Sequence, residues 1–269
     1  IMSRTLDHVG VFAHTVAHEA LLAETLVGFD EEDPDTRPRA RPPLAAVAAS
    51  EPPLPPRLAF VRSPVWEHAE PVTREAFAEL VRTLGEAVVE VESGASFARA
   101  VEMHRTIMEV EMAHNLHRDY EKGGDRFSAV LRKLIERGRG HAAVDYAAAV
   151  AGIPSLNGAL DPVFDEFDAI VTPAAPGEAP HGLETTGNPI FCTIWTYLGT
   201  PAVTLPLLRA AAGMPLGVQL VGRRDGDARL LRTARWLVAT LSSTRRRRGQ
   251  KETAPGRAES PRTGRRKSS

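Results

Sequence analysis

The sequence predicts an α/β protein with a mixed β-sheet. Three observations carry the prediction: two apolar runs close together near the C-terminus, a strand, helix, strand succession over residues 58–91, and long helical patterns between them. The C-terminal runs are the most specific. Residues 198–222 read LGTPAVTLPLLRAAAGMPLGVQLVG, where Val203-Thr204-Leu205 and Val218-Gln219-Leu220-Val221 have the β-branched and aliphatic content of buried strands. Pro201, Pro206, Pro215 and Gly217 fit only strand ends, edges or bulges, so the short glycine-containing connection predicts two neighbouring strands.

Taken in order, Thr15 is a suitable N-cap for a helix over 15–27, with Val16, Ala20 and Leu21 at helical spacing and Gly28 closing it. Residues 30–56 are dense in Pro, Ala, Asp and Arg, with three Pro-Pro pairs, and predict a loop or linker without regular structure. A strand over 58–61, a helix over 71–84 opened by Pro71, and a strand over 88–91 form a parallel crossover pattern. Helical segments follow over 97–120, 127–137 and 141–150, the last continuing towards Phe164 past an interruption at Gly152 and Pro154. Ala169 to Val171, ended by Thr172-Pro173, reads as a central strand, and residues 227–241 as a terminal helix with Leu230, Leu231, Ala234 and Leu237 on one face. No fixed-period repeat is present.

Composition bounds the function. With 269 residues, 43% hydrophobic and 25% charged, the chain has the makings of a substantial core. Its one cysteine, Cys192, excludes an intrachain disulfide and reads as a small buried hydrophobe. The absence of a spanning apolar run or a basic-then-apolar leader predicts a soluble, cytoplasmic protein. The net charge of -1 hides an asymmetry, because residues 242–269 hold ten Lys and Arg against two Glu. Those residues sit among Gly, Pro, Ser and Thr, which predicts a disordered basic tail beyond a domain spanning 1–241. A solvated extension explains the tail; the alternative is a nucleic-acid contact through counterion release.

Most chemical signatures fail. His14 and His18 have i, i+4 spacing, but position 22 is Leu22 and no third ligand is near, so no metal site is predicted. His104, His114 and His117, amid Glu109, Glu111, Arg105 and Arg118, read as one mixed-charge solvated helix face. Residues 94–98 lack the final glycine of a nucleophile elbow, and GRRDG at 222–226 is neither a P-loop nor a dinucleotide fingerprint. Asp165, Glu166 and Asp168 read as solvated carboxylates at a helix end. No cofactor is expected.

Several segments together resemble the amidase signature family, serine hydrolases of amide bonds with a Ser, cis-Ser, Lys triad. TLDHVGVFAHTVAHEALLAETLVGFDEEDP from Thr5 is similar to the segment after the family's nucleophile region. FDAIVTPAAPGEAP from Phe167 resembles its strand and loop near the substrate entrance, and LGTPAVTLP followed by GMPLGVQLVG resembles its C-terminal strand pair. These occur in family order over residues 3–241.

The resemblance implies part of an α/β/α layered mixed sheet and a hydrolase converting a carboxamide to a carboxylate plus ammonia or amine. It also implies that the lysine, the cis-serine loop and the nucleophile precede Thr5. Ile1-Met2-Ser3-Arg4 supplies none of them, since Ser3 falls after the nucleophile's place and lacks a glycine-rich context, so no catalytic residue carries over. The N-terminal half of the fold is thus expected to be missing, the chain to be inactive alone, and the exposed sheet edges to favour aggregation or a partly molten state. A monomeric, cooperative thermal transition with sharp near-UV dichroism would contradict that last expectation. Thr172, Phe191, Trp195 and Tyr197 are the substrate-lining residues the resemblance implies, with a small-molecule amide as ligand once an N-terminal half completes the fold. The alternatives are a non-catalytic binding or structural module and half of an enzyme complemented in trans.

Overall fold

The computed structural model describes residues 1–211 and 213–252. Its centre is a five-stranded sheet in the order β2-β1-β3-β5-β4, comprising β1 (Leu58–Arg62), β2 (Val88–Glu92), β3 (Ala169–Pro173), β4 (Ala202–Arg209) and β5 (Pro215–Val221). β1 pairs in parallel with β2 and β3, whereas β5 runs antiparallel to β3 and β4. The sheet is therefore mixed, as the sequence predicts, and the two C-terminal strands are neighbours. Pro206 lies where the β4–β5 register shifts between Leu205 and Leu208, an edge position that needs no inward amide.

Strand alternation separates two cores. Leu58 and Phe60 of β1, Ala169 and Val171 of β3, and Val218 and Leu220 of β5 face a layer formed by α1 (Val16–Leu26), α2 (Leu44–Ala49), α3 (Pro71–Leu84) and α9 (Asp227–Glu252). Ala59, Val61, Ile170 and Val221 face the opposite layer, formed by α4 (Ala100–Asn115), α7 (Ala143–Glu166) and α8 (Ile190–Leu198). Successive buried positions along one strand thus belong to different layers, which gives the α/β/α arrangement.

Several boundaries depart from the sequence expectation for identifiable reasons. Residues 30–56 contain α2, because Leu44 and Ala48 bury against the α9 layer and outweigh the proline-rich surroundings. The helix expected over 97–120 begins as a 3-10 turn at Ala95–Arg99 and breaks at Leu116 into α4 and α5 (His117–Gly123). α7 instead runs unbroken through Pro154 and Pro162, and the Asn157 side chain, donating to Ile153 O at 3.0 Å and to Leu198 O at 2.9 Å, ties it to the end of α8. The terminal helix continues past Leu241 to Glu252; the rest of the expected disordered tail, 253–269, lies outside the described residues.

The solvated-face reading of α4 is corrected. Glu109 and Glu111 are buried, because α6 (Ala129–Gly140) packs on one side of α4 and the N-terminal segment with Tyr146 of α7 on another. Arg137 donates to Glu109 Oε1 from Nε at 2.9 Å and Nη2 at 2.6 Å, and His141 Nε2 lies 2.9 Å from Oε2. Burial pushes the Glu109 carboxyl up, but the Arg137 and His141 contacts outweigh it and hold the group below its ordinary value. The acidic run at the end of α7 is paired rather than simply solvated: Asp165 meets Arg223 at 2.5 Å, Glu166 meets Arg57 at 3.0 Å and Asp168 meets Arg229 at 2.7 Å.

Candidate functional site

The carboxyl ends of β1, β2 and β3 point the same way, and ligands of open α/β sheets bind beyond such ends. A cleft of about 130 Å³ lies there. Val61 and Ser63 border it from the end of β1, Val91 and Ser93 from the end of β2, Leu160 from α7, and Ile194 and Trp195 from α8. Its wall is mostly aliphatic and aromatic, with Glu92 and three serines also lining it, a composition suited to a small apolar group carrying one polar end.

α8 sets the positions of three of the four residues expected to face substrate. It follows a loop over residues 174–189 and ends at Gly199, whose φ of 62° is the left-handed conformation that glycine adopts without penalty. Trp195, 4% exposed, borders the cleft. Phe191 turns towards Val65 and Ala69 in a small separate core. Tyr197 points into the α4–α7 layer, where its hydroxyl donates to Ala149 O at 2.6 Å. Thr172 is fully buried within β3. The four side chains therefore do not converge on one cavity; Trp195 alone among them borders the cleft.

Thr172 belongs to a second arrangement. It sits opposite Gln219 of β5, which sits opposite Thr204 of β4, so three polar residues form one row across the antiparallel strands. Cys192 of α8 reaches this row: Gln219 Nε2 lies 3.4 Å from its Sγ, which itself lies 3.4 Å from Ala174 O. Thr172 Oγ1 and Gln219 Oε1 are buried without a hydrogen-bond partner among the described residues. Such groups destabilise a fold unless something else completes them. Sequence reasoning places Gln219 in a strand and gives it no role; the only signal it carries there is that of a lone amide inside an otherwise aliphatic run.

Burial pushes the Cys192 thiol above its ordinary value, with the Gln219 amide acting weakly the other way, so the sulfur rests as a neutral thiol. Among the described residues, no group of three or more His, Cys, Asp or Glu is arranged to hold a metal ion, and no helix is long and apolar enough to cross a membrane. Lys122 and Lys133 stand exposed on α5 and α6.

Comparison with known proteins accounts for this scaffold. The family model described as Amidase matches residues 2–231. A putative amidase, AmiD, of Mycobacterium bovis is 28% identical over 261 residues, covering 91% of this chain and 54% of the relative. A glutamyl-tRNA(Gln) amidotransferase subunit of a Picosynechococcus strain is 26% identical over 265 residues, covering 86% of this chain and 55% of the relative. Among solved structures, a component of a vestigial protein complex tied to the origins of an s-triazine catabolic enzyme superposes with a TM-score of 0.78 at 21% identity, over 89% of this chain and 55% of its own. The crystal structure of an amidase superposes with a TM-score of 0.71 at 23% identity, over 89% of this chain and 54% of its own. The chain thus spans about half the length of the relatives it matches. With residues 2–231 matched by the family model, the chain belongs to the amidase signature family.

Proposed function

We propose that residues 1–241 form the part of an amidase that binds and orients substrate, and that this part does not hydrolyse an amide alone. The observation that carries the reading is the span: the family match runs almost from end to end of the described chain, yet reaches only about half of each relative. The family's Ser, cis-Ser, Lys relay, which the sequence resemblance places before Thr5, then belongs to the other portion of the fold. Hydrolysis of a carboxamide to a carboxylate and ammonia or amine follows once that portion is supplied, in the same polypeptide or in trans.

In the completed protein, Trp195 forms an apolar wall for the acyl group at the strand ends. Thr172 stays within the sheet beneath α8, and Phe191 and Tyr197 hold α8 in place from either side. The basic segment past residue 241 lies outside this binding unit.

The test is to incubate the purified 269-residue chain with a generic carboxamide and a serine-directed fluorophosphonate. Neither turnover nor labelling is expected until a nucleophile-bearing amidase portion is added. Labelled serine with turnover by the chain alone would refute the reading.

A further inference from the structure

α4, α5 and α6 enclose a second concavity, and none of its lining residues borders the strand-end cleft. Its volume is about 630 Å³, within the roughly 300–1,000 Å³ usual for small-molecule sites, whereas the cleft holds about 130 Å³. Two local features shape it. The break at Leu116 makes His114 and Asn115 the end of α4 and His117 and Arg118 the start of α5. On the other side, Gly138 lets α6 approach α4 closely: a Cβ there would meet the Glu109 backbone oxygen and lie 2.9 Å from the Ala113 Cβ. That approach brings the next residue, Arg139, to the same concavity as residues 113–118.

The wall is basic. Ala113 is its one apolar member; the others are His114, Asn115, His117, Arg118 and Arg139, with no carboxylate among them. This is a local exception, because the chain has 33 Lys and Arg against 34 Asp and Glu, and ten of the basic residues but two of the acidic fall in 242–269. Arg139 is held in position: its guanidinium lies 4.3 Å over the Tyr120 ring, and Nη2 donates to Glu121 Oε1 at 2.8 Å and to His117 Nδ1 at 3.4 Å. A guanidinium only donates, so His117 accepts at Nδ1 and keeps its ring proton on Nε2. Glu121 offsets one positive charge from the side. Among the described residues, the side chains of His114 and Arg118 have no hydrogen-bond or ion-pair partner, while Asn115 donates to Met2 O at 3.1 Å. The concavity therefore gathers donors, one of them fully charged, that the protein leaves unused.

We propose that this concavity is a binding site for the phosphoryl group of a small anionic molecule. Arg118 and Arg139 supply charge and forked donors, and His117 Nε2 and the His114 ring supply further hydrogen bonds. Donors that arrive from α4 and α5 on one side and α6 on the other match the three free oxygens of a phosphoryl group better than the two coplanar oxygens of a carboxylate. The wall carries no aromatic side chain on which a base could stack, and the basic groups are gathered in a hollow, which suits a small anion over a nucleic-acid strand. The site shares no residue with the strand-end cleft, so it stands whether or not the chain takes part in amide hydrolysis.

The experiment measures pyrophosphate binding to the full 269-residue chain by equilibrium dialysis at low ionic strength. In parallel, histidine carbethoxylation is read peptide by peptide by mass spectrometry. Saturable binding is expected, with modification of His114 and His117 slowed and that of the exposed His14 and His18 unchanged. Arg118→Gln and Arg139→Gln should each weaken this binding about ten-fold, since each removes charge-assisted hydrogen bonds. Arg118 has no partner to lose, so its variant keeps the fold by circular dichroism. Arg82→Gln removes an exposed charge from α3 and should leave binding unchanged. The absence of saturable binding, retention of affinity by both Arg118→Gln and Arg139→Gln, or an equal loss with Arg82→Gln would each overturn the proposal. Binding without protection of His114 and His117 would do the same by placing the anion on the basic residues of 242–269. A single-stranded oligonucleotide that protects these histidines at a lower phosphate concentration than pyrophosphate would overturn the small-molecule assignment.

Discussion

The hydroxyl of Ser3 donates to Oε2 of Glu111 at 2.6 Å, fastening the first residues of the chain to the middle of α4. The same carboxylate accepts the Thr5 amide at 2.9 Å, the Tyr146 hydroxyl at 2.8 Å and the Thr5 hydroxyl. Burial pushes the Glu111 carboxyl up, but the Ser3, Thr5 and Tyr146 hydrogen bonds outweigh it and leave it below its ordinary value. The segment leading to α1 therefore starts from a fixed point. Its course is set by these polar contacts together with the burial of Leu6 in the α4/α7/α8 core.

Glu111→Gln tests that anchor. An amide keeps the volume but loses one oxygen, so at least one of the four donors is left unmet at a cost of about 1–3 kcal/mol. Urea denaturation should show that loss, and limited proteolysis should cut within residues 1–15 faster than in the wild type. An unchanged digestion pattern would mean that Leu6, buried at 5% exposure, holds the segment without the carboxylate.

Gly138→Ala tests the α4–α6 contact. A Cβ at that position would fall 1.9 Å from the backbone oxygen of Glu109, which cannot rotate away. Helix propensity favours alanine over glycine by about 1 kcal/mol, whereas overpacking costs about 1–3 kcal/mol and more against backbone. The clash wins. A net destabilisation is expected in chemical denaturation, accompanied by loss of the Glu109–Arg137 pairing; a stabilised variant would show that the two helices separate freely.

The layered fold was largely legible in the sequence because its signals are local: β-branched runs for β3 and β5, Pro71 opening α3, and Thr15 capping α1 through its bond from the His18 amide. What was not legible depends on partners distant in the chain. Nothing near Glu109 announces Arg137 and His141, so a buried ion pair looked like a solvated face. The same limit applies to the candidate site. Phe191, Trp195 and Tyr197 share one short helix, yet helical rotation sends them to different surroundings, a separation that the aromatic content of the segment does not reveal.

Acid sensitivity should begin well above the carboxylate range. Burial, with smaller contributions from Arg105 and His8, lowers His104 from 6.5 to about 4. The unfolded chain therefore binds a proton that the folded chain refuses between those values. Stability is full above pH 6.5 and falls as pH drops through the window, by about 2–3 kcal/mol once partial solvent screening is allowed for. Glu109 and Glu111, both lowered, add a further loss only at more acid pH. His104→Gln should flatten the upper part of the curve and leave the acid limb in place. A wild-type profile flat from pH 7 to 5 would contradict the burial of that imidazole.

Cys192 offers a probe of the polar row beside β5. Its thiol is held near Gln219 Nε2 and Ala174 O, and burial raises its pKa, so little thiolate exists at neutral pH. Thiolate is the species that alkylates, so iodoacetamide should react with the native chain slower by about an order of magnitude than with the urea-unfolded chain. Gln219→Leu removes the amide neighbour that opposes the upward shift. It also deletes the uncompleted Gln219 Oε1, and an aliphatic side chain suits the surrounding strand. The variant should therefore alkylate no faster than the wild type and be equally or more stable, since removing an unmet buried acceptor relieves its desolvation cost. Faster alkylation with lowered stability would instead show that the amide packs the row shut, and that its free oxygen is a tolerated consequence of that packing.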